Sequence, residues 1–146
     1  MKTLRELYFD VLTEICSLTE FELGELNDIW FNYGGDYYFL YVDEKEIKLL
    51  ELCFHCPQNF KNNDEKLKAI HLFNEINKKF KMVKMFMDDE TGNITACVDF
   101  YVTGILPDDN GFLFNNKEQF IENLLLSLST IEEATEYFFD EMGWRK

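Results

Sequence analysis

Cys53 and Cys56, in the run Cys53-Phe-His-Cys56, have the spacing most often associated with metal binding or redox exchange. A structural zinc site needs four ligands, and no second C-x-x-C exists here to supply them. His55 and His71 are the only histidines that could help. In a strand, Cys53 and His55 point one way while Cys56 points the other. A redox pair of this spacing usually opens a helix after a strand, but Pro57 and a polar loop follow. The expectation is therefore thiols that pack rather than react, and no bound metal.

Asp88, Asp89 and Glu90, with Asp99 or Asp108 and Asp109, form the other group with chemical potential, as oxygen ligands for a divalent cation. The calcium-loop spacing D-x-[DN]-x-[DN]-G is not met, so an acidic hairpin turn is expected. A metal-dependent enzyme built on this hairpin is the rival reading. His71 has no Ser or Cys partner at a telling position, so it supports no triad. No phosphate loop, nucleophile elbow or dinucleotide fingerprint occurs. The reading is a protein without a catalytic site and without a cofactor.

The elements that must hold these residues follow from periodicity. Thr3 and Glu6 make a capping box before Leu4, Leu7, Tyr8, Val11, Leu12 and Ile15, which predicts a helix over 4–17. Residues 18–27 have no clear period. Ile29–Tyr33 and Tyr37–Val42 read as aromatic strands around Gly34-Gly35-Asp36. Asp43–Glu46 reads as a turn, and Ile47–His55 as a central strand stopped by Pro57. Asn63 or Asp64 caps a second helix, with Leu67, Ile70, Phe73 or Asn74, Asn77 and Phe80 expected inward.

Val83, Met85 and Met87 alternate with Lys84 and Phe86, which predicts a strand. Across a polar turn, Ile94–Val102 gives the cleanest period-two segment of the chain. Ile105–Asn115 reads as a loop. Asn116 and Gln119 cap a helix over 117–142, with a break near Ser127–Thr130 as the alternative. The order α-β-β-β-α-β-β-α predicts a single α+β domain of three helices on a five-stranded antiparallel sheet.

The chain has 146 residues, 47% hydrophobic, with 15 Phe, 7 Tyr and 2 Trp, enough for one globular core. Its formal net charge of −14 repels phosphate backbones and anionic lipid, so nucleic-acid and membrane partners are not expected. Seven of the 14 basic residues fall within 61–84. No apolar run approaches the roughly 18 residues that span a bilayer. Acidic residues near the start argue against a signal peptide, so a cytoplasmic location with reduced cysteines is expected.

Within Leu72–Val102, the pattern Asn74-x-x-Asn77-x-x-Phe80-Lys81, a short strand ending at Asp88, then Gly92, Ile94 and Asp99 resembles the signature of the YbjN family, described as bacterial sensory transduction regulators. The element order is similar as well. The resemblance implies a fold like that of the class I chaperones of type III secretion, which are small, acidic and usually dimeric. It implies a protein-binding role without chemistry. The residues themselves suggest a structural use: Asn74 and Asn77 lie one turn apart, where side-chain amides can fix the helix-to-strand junction.

The function expected from the sequence is thus a non-enzymatic module, chaperone-like or regulatory, that captures a partner polypeptide on an apolar surface. Trp30, Phe31, Tyr33, Tyr37, Tyr41 and Tyr101 are the candidate contact residues. A homodimer is the accompanying expectation, and a self-associating structural subunit is the second rival.

Overall fold

In the computed structural model, residues 3–45, 49–57, 60–88, 90–102, 105–108 and 111–144 are described. The chain opens with α1 (Leu4–Thr13), where Thr3 Oγ1 accepts the Glu6 N–H at 3.1 Å. The helix is shorter than its apolar spacing predicts. Glu14 and Ile15 donate to carbonyls three residues back, which tightens and ends the last turn. Ile15 nevertheless remains in the core.

Four strands follow: β1 (Leu18–Leu23), β2 (Asp28–Tyr33), β3 (Asp36–Tyr41) and β4 (Leu49–Cys56). β1 lies in the segment without a clear period, and its backbone explains why. Glu20 has φ 55, and two residues separate Thr19 from Glu22 where one separates their partners Asn32 and Trp30. This bulge throws the side-chain alternation out of step. The β2–β3 turn is Gly34-Gly35, both at positive φ, as a two-residue hairpin of the right twist requires. The first two residues of the predicted third strand, Ile47 and Lys48, lie outside the described residues, as do Glu46 at the end of the predicted turn, Asp89 and Asp109.

α2 (Asn63–Lys79) is capped by Asn62, one residue earlier than predicted. Asn62 Oδ1 accepts the Glu65 N–H, and Glu65 Oε1 accepts the Lys61 N–H, both at 2.9 Å. Its buried stripe is Ala69, Leu72, Phe73 and Ile76, so the predicted inward residues Leu67, Ile70 and Asn74 face outward instead. Phe73 stacks on Phe138 at 5.3 Å between centroids, and this contact selects the stripe.

β5 (Lys84–Met87) and β6 (Ile94–Tyr101) come next, and then β7 (Ile105–Asp108) and β8 (Gly111–Phe114). The last two form a separate two-stranded ribbon, where a loop was expected. An isolated ribbon tolerates Pro107 because every strand in it is an edge. Phe114 packs on Tyr8 and Phe120, so the ribbon closes one end of the core.

α3 (Lys117–Met142) runs unbroken for 26 residues. Ser127 and Thr130, where the alternative reading placed a break, donate to the carbonyls of Asn123 and Leu126 at 2.8 Å, so their hydroxyls are satisfied inside the helix. Gly143 at φ 73 ends it, and Trp144 folds back onto Phe138 and Phe139.

The architecture is α+β. The main sheet is antiparallel throughout, in the order β1-β2-β3-β4-β6-β5, one strand more than predicted because of β1. Leu50, Leu52, Phe54 and Cys56 on β4 face the same side as Phe100, Val98, Ala96 and Ile94 on β6. All three helices join these residues in one hydrophobic cluster.

The Tyr8 side chain is buried in this cluster and, among the described residues, its hydroxyl has no hydrogen-bond partner; burial also pushes its phenol up from the ordinary range. A buried donor without an acceptor keeps its full desolvation cost. Tyr8→Phe is therefore expected to raise the unfolding free energy by about 1 kcal/mol. A higher urea midpoint at unchanged slope would show it.

Candidate functional site

With the helices on one side, the opposite face of the main sheet carries every second strand residue outward. The register sets these in rows. Glu22, Trp30, Phe39, Cys53, Cys97 and Lys84 are successive partners across all six strands. Asp28, Tyr41, Glu51 and Asp99 make a second row, and Leu49 and Tyr101 pair beside it. Antiparallel sheets with one wet face usually show polar residues there. Here the face carries rings.

Four of the six predicted contact residues lie on it. Tyr101 is 74% exposed, and Tyr41 and Tyr37 are exposed as well. The Tyr37 hydroxyl donates to Glu20 at 2.7 Å, which together with that carboxylate's charge pushes the phenol up. Trp30 is half-buried; its Nε1 donates to Asp28 Oδ2 at 2.7 Å and its ring leans on Phe39 at 4.7 Å. His55 meets the Trp30 ring edge-on, and burial lowers its basicity.

Two of the six are on the other side. Phe31 is fully buried, stacked against Tyr38, and belongs to the core. Tyr33 is half-buried, with its ring against Tyr38 and packed on that core. Their place follows from alternation: Trp30 outward forces Phe31 inward. The sequence reading missed Phe39, Phe86 and Leu49, which the outward face also presents. The strand pattern around Tyr41 could have revealed Phe39, two residues away.

The residues of the short signature serve the junction between α2 and the β5–β6 hairpin. Asn77 Oδ1 accepts the Met85 N–H at 2.8 Å and its Nδ2 donates to the Met85 carbonyl at 3.2 Å. Asn77 thereby pairs with the edge of β5 like one more strand residue. Asn74 is exposed, with no such tie. Phe80 caps α2 and packs toward Tyr137 at 6.1 Å, while Lys81 is exposed. Asp88 Oδ1 accepts the Glu90 N–H, and the Asp88 backbone bonds Gly92 and Asn93. Gly92 has φ 73, which this turn needs.

Asp99 ends on the open face, where its Oδ2 is 3.2 Å from Lys84 Nζ. Asp88 is thus committed to its turn and Asp99 to a lysine. Among the described residues, no three His, Cys, Asp or Glu side chains converge to hold a metal ion.

The Cys53–Cys56 spacing separates as alternation requires. Cys56 lies on the helix side and Cys53 on the open side, and neither is in a disulfide. A cleft of about 490 Å³ lies elsewhere, between the start of α1 and the β1–β2 turn, lined by Arg5, Glu6, Phe9, Asp10, Leu23 and Asn27 among others.

No family model matches this chain, and no curated protein matches it. Among solved structures, an uncharacterized protein from Methanothermobacter thermautotrophicus has a similar fold, with a TM-score of 0.60 and 10% identity over 96% of each chain. At that identity the likeness shows a shared α+β architecture alone. Among the described residues, no helix is long and apolar enough to cross a membrane.

Proposed function

We propose that this protein is a non-catalytic binding module, chaperone-like or regulatory, that holds a partner polypeptide against the helix-free face of its sheet. One observation carries the reading: Tyr37, Tyr41, Phe86, Leu49 and Tyr101 are exposed on a face that none of the three described helices covers. Exposed apolar surface of this kind, rimmed by polar groups, marks interaction sites. Tyrosine suits the task, because it offers a large rigid ring with few torsions to freeze.

The outward charges on the same strands, Glu22, Glu51 and Asp99 against Lys84, favour a partner segment that combines apolar and basic side chains. The likeness of Asn77, Phe80, Gly92 and Asp99 to the YbjN signature points the same way, as does the absence of any recognised catalytic motif. A cytoplasmic setting, where cysteines are reduced at rest, belongs to this proposal.

The test is binding of an amphipathic basic peptide, followed by fluorescence anisotropy, with light scattering to register self-association. Tyr41→Glu and Tyr101→Glu are each expected to weaken capture about tenfold or more, the scale of losing an aromatic anchor. Leu126→Glu, on the exposed side of α3, is expected to leave it unchanged. Equal effects from all three, or no binding by the parent chain, would remove the basis for the reading. A dimer dissociated by the tyrosine variants would identify the partner as a second copy.

A further inference from the structure

Cys53 has lost Cys56 to the other side of the sheet, but it has gained a different thiol. Cys97 is its direct partner across β4 and β6. Opposed residues of an antiparallel pair have Cα atoms about 4.5 or 5.5 Å apart. Both values lie within the roughly 4.4–6.8 Å that a disulfide spans. Both side chains leave the same face, and both are free thiols.

Charged groups surround the pair on three strands. Lys84 on β5 stands opposite Cys97, and its Nζ reaches Asp99 on β6. Cys53 Sγ donates to Glu51 Oε1 at 3.4 Å on β4. His55 is two residues along from Cys53 on the same face. The adjoining Cys53, and less strongly Lys84, push the Cys97 thiol below its ordinary range against burial and the carboxylates of Glu51 and Asp99. The adjoining Cys97, burial and the Glu51 carboxylate push the Cys53 thiol up. The two sulfurs are thus unequal: a lysine stands opposite Cys97, while Cys53 holds its proton toward the Glu51 carboxylate.

We propose that Cys97 and Cys53 form a peroxide-responsive thiol pair, with Cys97 as the attacking sulfur and Cys53 as the resolving one. Each residue is only 2% exposed, which keeps bulky disulfides away from the sulfurs. The Cys97 thiolate attacks one oxygen of hydrogen peroxide. The S–O bond forms, the O–O bond breaks, and hydroxide leaves to become water with the proton Cys97 gave up. Cys97 sulfenic acid remains, oxidised by two electrons.

Cys53 then passes its proton to Glu51 and attacks the Cys97 sulfur. The S–S bond forms, the S–O bond breaks, and the departing hydroxide takes that proton as a second water. Two thiols and one peroxide give one cross-strand disulfide and two waters. The pair needs no partner polypeptide, so it stands apart from the binding reading.

The experiment treats the reduced full chain with one equivalent of hydrogen peroxide, denatures it and alkylates the remaining thiols. Mass spectrometry is expected to find two of the four cysteines protected, a peptide joining Cys53 to Cys97, and full recovery with dithiothreitol. In Cys53→Ser the sulfenic acid is expected to persist and be trapped on Cys97 by a 1,3-dione. In Cys97→Ser, Cys53 is expected to stay alkylatable. Oxidation confined to Cys16, or full alkylation of Cys53 and Cys97 in the parent chain, would overturn the proposal. The parent-chain peptide map decides it even if a serine variant fails to fold.

Discussion

Phe138→Ala is expected to lower the free energy of unfolding by about 3–5 kcal/mol, the usual cost of emptying a buried aromatic site. Phe138 is fully buried and lies where three parts of the chain meet. Its ring stacks on Phe73 of α2 at 5.3 Å and meets Phe139 and Trp144 at 5.9 and 5.6 Å. Removing it takes contacts from both helices and from the residue that closes α3, so the site cannot collapse from one side. Urea unfolding should show a large drop in midpoint. Leu126→Ala on the opposite side of α3, at 60% exposure, should change stability by no more than about 0.5 kcal/mol. Comparable losses at both positions would contradict the orientation of α3.

Leu52→Ala is expected to cost about 2–5 kcal/mol. Leu52 is fully buried in the middle of β4, with Leu40 opposite on β3 and Val98 opposite on β6. Leu49 on the same strand faces outward beside Tyr101, and Leu49→Ala is expected to cost well under about 1 kcal/mol. The contrast tests the register of the central strand. A one-residue slip would exchange the two faces, bury Cys53 and Glu51 against the helices, and reverse the order of the two losses.

The helix termini were largely legible. Thr3 and Asn116 are caps where their spacing to Glu6 and Gln119 indicates, because capping is decided within three residues. The last helix matches its predicted bounds for the same reason. The α2 stripe did not read correctly, since Leu67, Ile70 and Phe73 describe one plausible face and Ala69, Leu72, Phe73 and Ile76 another. The choice belongs to Phe138 and to β5, which lie far away in sequence. β1 was hidden by its bulge at Glu20, and the β7–β8 ribbon by Pro107 and Gly111, which signal a loop when taken alone.

The candidate site divided in the same way. The aromatic strands were visible as such, but only pairing fixes which rings point outward, and it sent Phe31 into the core and Tyr33 against it while bringing out Phe39 and Phe86.

What the chain determines by itself is local: which segments coil, which extend, where a helix begins, and that Cys53 and Cys56 must part company on a strand. What only the folded molecule decides is adjacency. β5 goes to the sheet edge and β6 returns to lie beside β4, which sets Cys97 against Cys53 and Asp99 against Glu51. Periodicity reaches no further than about four residues, whereas strand order follows from where α2 and α3 can bury their apolar stripes together. That same choice gathers the helices on one side and leaves the ringed face of the sheet open.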